Sequence, residues 1–305
     1  MKRRCLFICL MLVTSITMAE VAGDAMLSLQ VTMDRLGFSP GVVDGRLGMQ
    51  TRSAVMAWQL ANDIPAAGEA SGAFAPAELT GELLYTNVVV NADDLAQLGP
   101  CPKDWLERSK LPHMACETAL ELLAERFHCS ERLVQRLNPS VTNWTAGVTV
   151  RLPNTLSDTS PVHKAARVRV YLVQKYIRAY DESGKVIAHF PCSIGAKQEK
   201  RPMGTLTVVN VALNPNYTYD PVNFPELDEQ QKSYGKLVIL PGPNNPVGMA
   251  WIGLSKSGYG IHGTPHPEDI GRTESHGCFR LANWNAERLA RMVEIGTPVE
   301  VINEP

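Results

Sequence analysis

The sequence predicts a multidomain protein in which a mainly β C-terminal domain follows two smaller modules. A chain of 305 residues is long enough for two or three domains. Apolar residues recur at helical spacing in the first half, and the period changes to two after Ala166. The polar, proline-containing stretch 154–166 separates the two patterns and is typical of a linker.

The C-terminal part, residues 167–303, has the pattern of short strands joined by turns. Val168, Val170 and Leu172 alternate with polar or amphipathic residues, as in a half-buried strand. Several further short apolar runs are bounded by Gly and Pro, which favours a β-sandwich or barrel-like sheet. Cys192 ends one of these runs, so we expect its side chain to be buried in the sheet.

A cysteine with histidines near it is the strongest chemical signal in the chain. Cys278 lies in the segment SHGCFR, residues 275–280, with His276 two residues before it and Arg280 two residues after it. His262 lies in an earlier segment, YGIHGT. A thiol attacks best as the thiolate, which a cationic neighbour favours, and an imidazole can take and return the proton. The pattern therefore predicts covalent acyl transfer through an ionised, accessible thiol.

Two simpler interpretations compete with this one. A cysteine is often only a small buried apolar residue. A zinc site is also possible in principle, because four side chains are of metal-binding types: His262, His266, His276 and Cys278. No three of these have a recurring ligand spacing with an acidic base nearby, so we expect neither a metal nor another cofactor.

The longer motif resembles the signature of a known catalytic domain. His262-Gly263-Thr264 is followed by Ile270-Gly271, by the SHGCFR segment and by Asn283. This order resembles the L,D-transpeptidase catalytic domain, also called the YkuD domain, and the resemblance extends over about residues 166–302. Phe279 departs from the smaller aliphatic residue that is usual there. The resemblance implies a mainly β fold of the YkuD type.

The resemblance also implies roles for individual residues. Cys278 would attack a stem peptide at the bond before its terminal D-alanine and form a thioester, with His262 as general base and acid. His276 would shape the loop rather than carry the proton. The backbone N–H groups of Gly277 and Cys278 would form an oxyanion hole, worth roughly 3 kcal/mol per donor. Arg280 would bind a substrate carboxylate or brace the loop.

Three further residues are expected at the substrate side of the site. A carbonyl group near Gly263 would orient the imidazole, and Ser275 and Tyr259 would contact substrate, as the resemblance implies. The acyl acceptor stays open, because an amine gives a 3–3 cross-link or an attached protein, whereas water makes the same site an L,D-carboxypeptidase. A wall-binding scaffold with a degenerate site is the alternative of another class. The resemblance also implies covalent inhibition by carbapenems.

The first module, residues 24–80, has two helical patterns separated by a glycine-rich loop. Leu29, Met33 and Leu36 are spaced for one helix, and Ala54, Val55 and Trp58 for the next. The string from Leu36 to Gln59 resembles a peptidoglycan-binding domain of three short helices. Peptidoglycan is therefore the expected partner, although such modules in some enzymes only pack against a neighbouring domain.

The second module, residues 101–153, predicts two short helices and a closing strand. Ser130 is a candidate N-cap, Asn138-Pro139 ends the second helix, and residues 147–153 have a strand pattern. The order resembles a βααβ LysM module, which implies binding of N-acetylglucosamine-containing glycans. With the linker behind them, the two modules are expected to be tethered ahead of the catalytic domain.

The N-terminus predicts export. Lys2-Arg3-Arg4 precedes a short apolar run and small residues, so residues 1–22 have the pattern of a signal peptide. We expect secretion across the inner membrane to the periplasm or cell wall. A formal net charge of −2 gives no basic excess, so nucleic acid is not an expected partner. In an oxidising compartment, one disulfide among Cys101, Cys116 and Cys129 is plausible, and the pairing stays open.

Overall fold

The computed structural model describes residues 18–69, 84–156, 162–196, 198–223, 228–272 and 277–303. Most of the predicted signal segment lies outside these residues. The first helix, α1 (Met18–Arg35), begins within the last part of that segment. Over the ranges given, none of the helices combines the length and the apolar character that crossing a bilayer requires.

The N-terminal unit consists of α1 and a second helix, α2 (Met49–Ala61), joined by a loop with tight turns. Gly45 in that loop has φ 75°, a conformation that glycine adopts without steric cost. Ala54, Val55 and Ala61 are buried and Trp58 packs partly buried beside them, which confirms the predicted face of α2. The region of the third predicted helix lies largely outside the described residues.

In the middle unit two strands pair with each other, and four helices lie between them in sequence. Strand β1 (Tyr85–Val89) pairs antiparallel with β2 (Thr149–Pro153), and α5 (Ala119–Arg126) and α6 (Glu131–Leu137) lie between them in sequence. Two five-residue helices follow β1: α3 (Ala92–Ala96) and α4 (Trp105–Ser109). The first strand therefore precedes residue 101, where we expected the module to begin.

Side-chain caps explain why the helices of this unit begin where they do. The Ser130 hydroxyl accepts a hydrogen bond from the Leu133 backbone N–H at 3.1 Å, which confirms Ser130 as an N-cap. Asn138 ends α6 and ties it to β2, because its amide donates to Val134 O and Arg151 O and accepts from Arg151 N at 2.7–2.8 Å. The apolar faces of the helices then bury Leu123, Leu133 and Val134 against the strand pair.

The C-terminal unit is built on one eight-stranded sheet with the order β11-β10-β9-β6-β12-β3-β4-β5. Its strands are β3 (Arg167–Tyr171), β4 (Tyr176–Tyr180), β5 (Val186–Pro191), β6 (Gly204–Leu213), β9 (Ala250–Leu254), β10 (Gly260–His262), β11 (Phe279–Arg280) and β12 (Pro298–Ile302). A separate hairpin consists of β7 (Tyr217–Tyr219) and β8 (Leu237–Ile239), with α7 (Glu229–Ser233) between them. The mainly β prediction is confirmed, and Cys192 is fully buried as expected.

Helix α8 (Asn283–Met292) packs on this sheet and contributes Ala286, Leu289 and Met292 to its core. Asn285 is of a residue type that favours the N-cap position, but the helix does not begin there. The helix begins two residues earlier, with Ala282 at the cap position and no side-chain cap. Asn285 is instead used in packing, because its amide donates to the Ser39 hydroxyl at 2.9 Å.

The three units are docked on one another rather than tethered as we expected. Ser39 N donates to His189 O at 2.8 Å, and His189 N donates to Gly37 O at 3.0 Å. The N-terminal loop therefore pairs alongside edge strand β5. Tyr180 and Val186 of the sheet share a core with α1 and α2. Between the first two units, Val43 forms a bridge with Cys129.

The five described cysteines are all free thiols: Cys101, Cys116, Cys129, Cys192 and Cys278. The structure therefore contains no bridge among Cys101, Cys116 and Cys129. Cys129 is instead buried in the core of the middle unit.

Candidate active site

Three neighbouring strands at one end of the sheet position the candidate catalytic residues. Strands β10 and β11 run parallel, with Ile261 opposite Phe279 and His262 opposite Arg280. On the other side, β9 pairs antiparallel with β10 and places Trp251 opposite His262. The chemistry-bearing residues therefore share one edge region of the sheet, although 16 positions separate His262 from Cys278 in sequence.

The alternation of side chains along the strands determines which of them share a face of the sheet. Ile261 and Phe279 are 1% and 0% exposed and belong to the sheet core. Alternation along the strands then directs His262, Arg280 and Cys278 to the opposite face. From the strand spacing and the rise per residue, the backbones of His262 and Cys278 are about 8 Å apart along the diagonal, a separation their side chains can bridge.

The His262 ring is held by a backbone carbonyl. Its Nδ1 donates to Gly263 O at 2.6 Å, because a carbonyl can only accept, and this leaves Nε2 as the basic nitrogen. Burial lowers the pKa of His262 to about 4, the Gly263 hydrogen bond opposes that shift, and the positive charge of Arg280 adds to it. The imidazole is therefore neutral at neutral pH and able to accept a proton.

The Cys278 thiol is partly accessible, and it lies 3.6 Å from Gly258 O, to which it can donate. Burial raises the pKa of Cys278, while a hydrogen bond with the Gly260 backbone and the charge of Arg280 act in the opposite direction. Partial desolvation therefore opposes the ionised form of the thiol that we expected. The proton must leave as the sulfur attacks.

The backbones of Arg280 and Gly277, on either side of Cys278, contact the segment that follows β5. Arg280 exchanges two backbone hydrogen bonds of 2.9 Å with Ser193, which ties β11 to the segment after β5. Burial lowers the pKa of Arg280, while the charges of Asp269 and Cys278 raise it. Gly277 is buried against Gly195, where an added Cβ would lie 3.0 Å from Gly277 Cα. The chain can approach this closely only because position 195 is a glycine.

Gly263 lies in an equally confined place. A Cβ at Gly263 would lie 2.2 Å from Asn283 Oδ1. That Asn283 side chain is buried, accepts from Met249 N at 3.1 Å and donates to Pro243 O at 3.1 Å. The carbonyl that holds the imidazole is thus fixed by the first residue of α8. Tyr259 is partly exposed at the start of β10, and the Lys256 ammonium lies 4.3 Å from its ring centroid.

Two aromatic residues near the site were not predicted. The Trp251 ring stacks on His262, with centroids 5.7 Å apart and an interplanar angle of 23°, and its edge packs where Gly260 has no side chain. Tyr217 of the β7–β8 hairpin is near enough to Cys278 for the two groups to interact electrostatically. Burial raises the pKa of Tyr217 to about 12, with the Cys278 charge as the second cause. Only the strand pairing, which single-sequence periodicity does not give, brings these residues to the site.

Two predicted site residues, Ser275 and His276, lie outside the described residues, so their expected positions are not tested. Among the residues that are described, no group of three or more His, Cys, Asp or Glu side chains is arranged to hold a metal ion. The geometry thus brings together Cys278, His262, Arg280 and the Gly263 carbonyl on one face.

Two parts of the chain match known families. Residues 165–301 match the family described as the YkuD "L,D-transpeptidase catalytic domain". Residues 22–74 match a "Putative peptidoglycan binding domain".

Individual relatives are similar over about 60% of this chain. The "Putative L,D-transpeptidase YkuD" of Bacillus licheniformis is 28% identical over 185 residues, which is 60% of this chain and 92% of the relative. The "Probable L,D-transpeptidase YbiS" of Escherichia coli K12 is 26% identical over 61% of this chain and 60% of its own length. A solved L,D-transpeptidase of Mycobacterium smegmatis is 19% identical over 57% of this chain and 85% of its own, with a TM-score of 0.35.

Proposed function

Because residues 165–301 belong to the YkuD family of L,D-transpeptidase catalytic domains, we propose that the protein is a cysteine acyltransferase acting on peptidoglycan stem peptides. Cys278 is the nucleophile and His262 the general base and acid. The observation that carries this assignment is the 2.6 Å hydrogen bond from His262 Nδ1 to Gly263 O, which leaves Nε2 free on the face that Cys278 shares.

The proposed first step forms a thioester. His262 Nε2 takes the proton from the Cys278 thiol while the sulfur attacks the carbonyl carbon before the terminal D-alanine. The resulting oxyanion is stabilised by the backbone N–H groups of Gly277 and Cys278. The C–N bond then breaks, and the leaving amine of D-alanine takes the proton back from Nε2. The enzyme is left with a neutral imidazole and an acylated sulfur.

The second step transfers the acyl group to an acceptor. An amine attacks the thioester, His262 takes its extra proton, and that proton returns to the departing sulfur. A side-chain amine of a second stem peptide gives a 3–3 cross-link, and an amine of a protein gives an attached protein. Arg280, opposite His262 in the register, is suited to hold a substrate carboxylate and also fixes the loop through Ser193. Ser275, Tyr259 and His276 keep their proposed roles in substrate contact and loop shape.

The N-terminal units fit a location at the wall. The peptidoglycan-binding domain supports peptidoglycan as the partner. We propose secretion through the N-terminal signal segment to the periplasm or cell wall. Residues 84–153 contain an antiparallel strand pair, and the two longer helices between the strands, α5 and α6, pack on it. The resemblance of this unit to a LysM module supports the proposal that it contacts glycan.

Product analysis with purified muropeptides tests the function. The full-length protein should release D-alanine and yield 3–3 dimers, and Cys278→Ala should abolish both without weakening binding to sacculi. Cys101→Ala is a matched control, because that thiol lies in the middle unit, and it should keep full activity.

Each other outcome of that assay has a definite meaning. Tripeptides without dimers would make the protein an L,D-carboxypeptidase, and peptide attached to protein would identify a protein acceptor. Turnover by Cys278→Ala would remove the nucleophile assignment, and no turnover by the wild type would favour a wall-binding scaffold. A carbapenem should add covalently to Cys278, and mass spectrometry locates the adduct.

A further inference from the structure

A large cavity lies apart from the face that carries Cys278 and His262, at the place where the three units meet. Its volume is about 1790 Å³, larger than the roughly 300–1,000 Å³ usual for small-molecule sites. Its wall includes α2 of the N-terminal unit, the α5–α6 region of the middle unit, strands β4 and β5, and the loop 265–272. Among the described residues, neither Cys278 nor His262 lines it. The cavity is therefore distinct from the proposed active site.

Two buried polar side chains at the wall of this cavity have nitrogen atoms without a hydrogen-bond partner. Arg178 on β4 is 7% exposed and lies opposite His189 on β5, which is 0% exposed. The Arg178 Nε atom and both ring nitrogens of His189 have no hydrogen-bond partner among the described residues. Buried polar groups in folded proteins are nearly always paired, so three such atoms on neighbouring residues require an explanation.

Aromatic contacts account for only part of this arrangement. The Arg178 guanidinium lies 4.5 Å from the Tyr176 ring centroid and 5.6 Å from that of Tyr171, within the range of cation–π attraction. Cation–π attraction of this kind acts on the positive charge and gives the guanidinium N–H donors no hydrogen-bond acceptor. No described carboxylate forms an ion pair with it, although a buried cation is costly without one.

The same end of the cavity is positively charged. Arg52 on α2, Lys175 in the β3–β4 turn and Arg272 in the loop after β10 line it together with Arg178. Hydrogen bonds hold the segments in place, because Lys175 Nζ donates to Gly271 O at 3.1 Å and the Gln50 amide donates to Ile270 O at 2.7 Å. The carboxylates that line the cavity are those of Asp44 in the N-terminal unit, of Glu268 in the same loop as Arg272, and of glutamates in the middle unit.

We propose that this end of the cavity binds a carboxylate group of a peptidoglycan stem peptide, at a site separate from the one where the peptide is cleaved. A guanidinium offers a carboxylate parallel N–H donors, and a neutral imidazole adds one more. A stem peptide is the ligand because α2, which forms part of the wall, belongs to the peptidoglycan-binding domain. Only the identity of the peptide rests on the proposed function.

A histidine resonance reports on this site directly. Full-length Cys278→Ala, which cannot consume the peptide, is titrated with a soluble disaccharide tetrapeptide while the imidazole Cε1–Hε1 signals are followed by NMR. The His189 signal is assigned by its absence in His189→Gln. We expect a saturable shift of that signal. The same peptide with its carboxyl groups amidated should produce none.

Charge-reversal variants distinguish binding at this site from a general effect of the protein's charge on the peptide. Arg52 is exposed on the cavity wall, and Arg52→Glu should weaken the apparent Kd from the His189 signal about tenfold, since an opposing field replaces an attractive one. Lys185→Glu is the matched control, because Lys185 is exposed and does not line the cavity, and it should leave that Kd unchanged.

The outcomes distinguish this proposal from the proposed function. A His189 signal that stays unshifted at saturating peptide, or equal Kd values for Arg52→Glu and Lys185→Glu, would overturn the second site. Wild-type protein that forms no product but shows the shift would overturn the acyltransfer function and leave the second site standing.

Discussion

At the scale of single residues, the candidate site is a neutral thiol beside a neutral imidazole. Burial acts on both groups in the direction of the uncharged form, raising the pKa of Cys278 and lowering that of His262 to about 4. An ion pair is therefore not the resting state. The hydrogen bond to the Gly263 carbonyl fixes which nitrogen takes the proton when the sulfur attacks.

The pH dependence of kcat/KM should show this protonation state. Below a pH of about 4 the imidazole is protonated and cannot act as a base, so kcat/KM should fall about tenfold per pH unit there. Between pH 5 and 8 the profile should be flat, because the raised pKa of Cys278 keeps the thiol neutral throughout. A profile of kcat/KM measured with a tetrapeptide substrate tests this. An acid limb near pH 6.5 would show that the ring is solvated in the working enzyme.

Substitution of Gly263 should damage the site through its backbone. In Gly263→Ala the new Cβ would lie 2.2 Å from Asn283 Oδ1 and 3.0 Å from Met249 N, so the carbonyl that holds His262 must move. Overpacking of this kind costs roughly 1–3 kcal/mol of stability, and a displacement of about 1 Å can lower kcat about 100-fold.

The matched control for this change is Gly48→Ala. Its Cβ would meet nothing within 4 Å, and its φ of −121° suits any residue. Thermal unfolding and kcat should both be near wild type in the control. Wild-type kcat in Gly263→Ala would contradict the positioning of the imidazole by this carbonyl.

At the scale of elements, the β7–β8 hairpin connects the middle unit to the thiol. The Trp105 ring of α4 stacks on Tyr219 at 4.6 Å and lies 5.9 Å from Tyr217, and Tyr217 interacts electrostatically with Cys278. The Tyr234 hydroxyl donates to Asp104 Oδ2 at 2.8 Å, which adds a second tie. The middle unit thus supports one wall of the candidate active site.

Removal of the Trp105 ring should loosen that wall. We expect Trp105→Ala to lower kcat/KM about tenfold, because each lost aromatic pair is worth about 0.5–1.5 kcal/mol beyond its buried area. The acid limb of the pH profile should not move, since His262 keeps its surroundings. Trp105→Phe retains a stacking ring and should recover most of the activity. Equal values of kcat/KM for Trp105→Ala and the wild type would show that the middle unit does not support the candidate active site.

At the scale of the whole molecule, the N-terminal unit covers one edge of the eight-stranded sheet. Residues 37–39 hydrogen-bond to edge strand β5, and Tyr180 and Val186 are buried under α1 and α2. An uncovered edge strand exposes unpaired backbone groups and favours aggregation. The N-terminal unit is thus part of the structural support of the catalytic domain, whatever it binds.

A fragment of residues 162–305 should therefore be less stable than the full chain. We expect a lower unfolding temperature and concentration-dependent association, because the edge of β5 and the side chains of Tyr180 and Val186 become exposed. Differential scanning calorimetry and analytical ultracentrifugation measure both. A monomeric fragment with the unfolding temperature of the full chain's C-terminal unit would show that the docking contributes no stability.

The sequence by itself predicted the mainly β class of the C-terminal part, which the structure confirms, and proposed a cysteine and a histidine as its chemical core. These follow from local periodicity and from short motifs, which depend on residues close together in the chain. Only the tertiary structure decided that β1 completes the middle unit, that Trp251 and Tyr217 lie near the candidate site, that the thiol is neutral, and that the modules are docked rather than tethered. Each of these depends on strand pairing or burial between distant segments, and desolvation of an ionisable group is a property of its surroundings rather than of its own sequence.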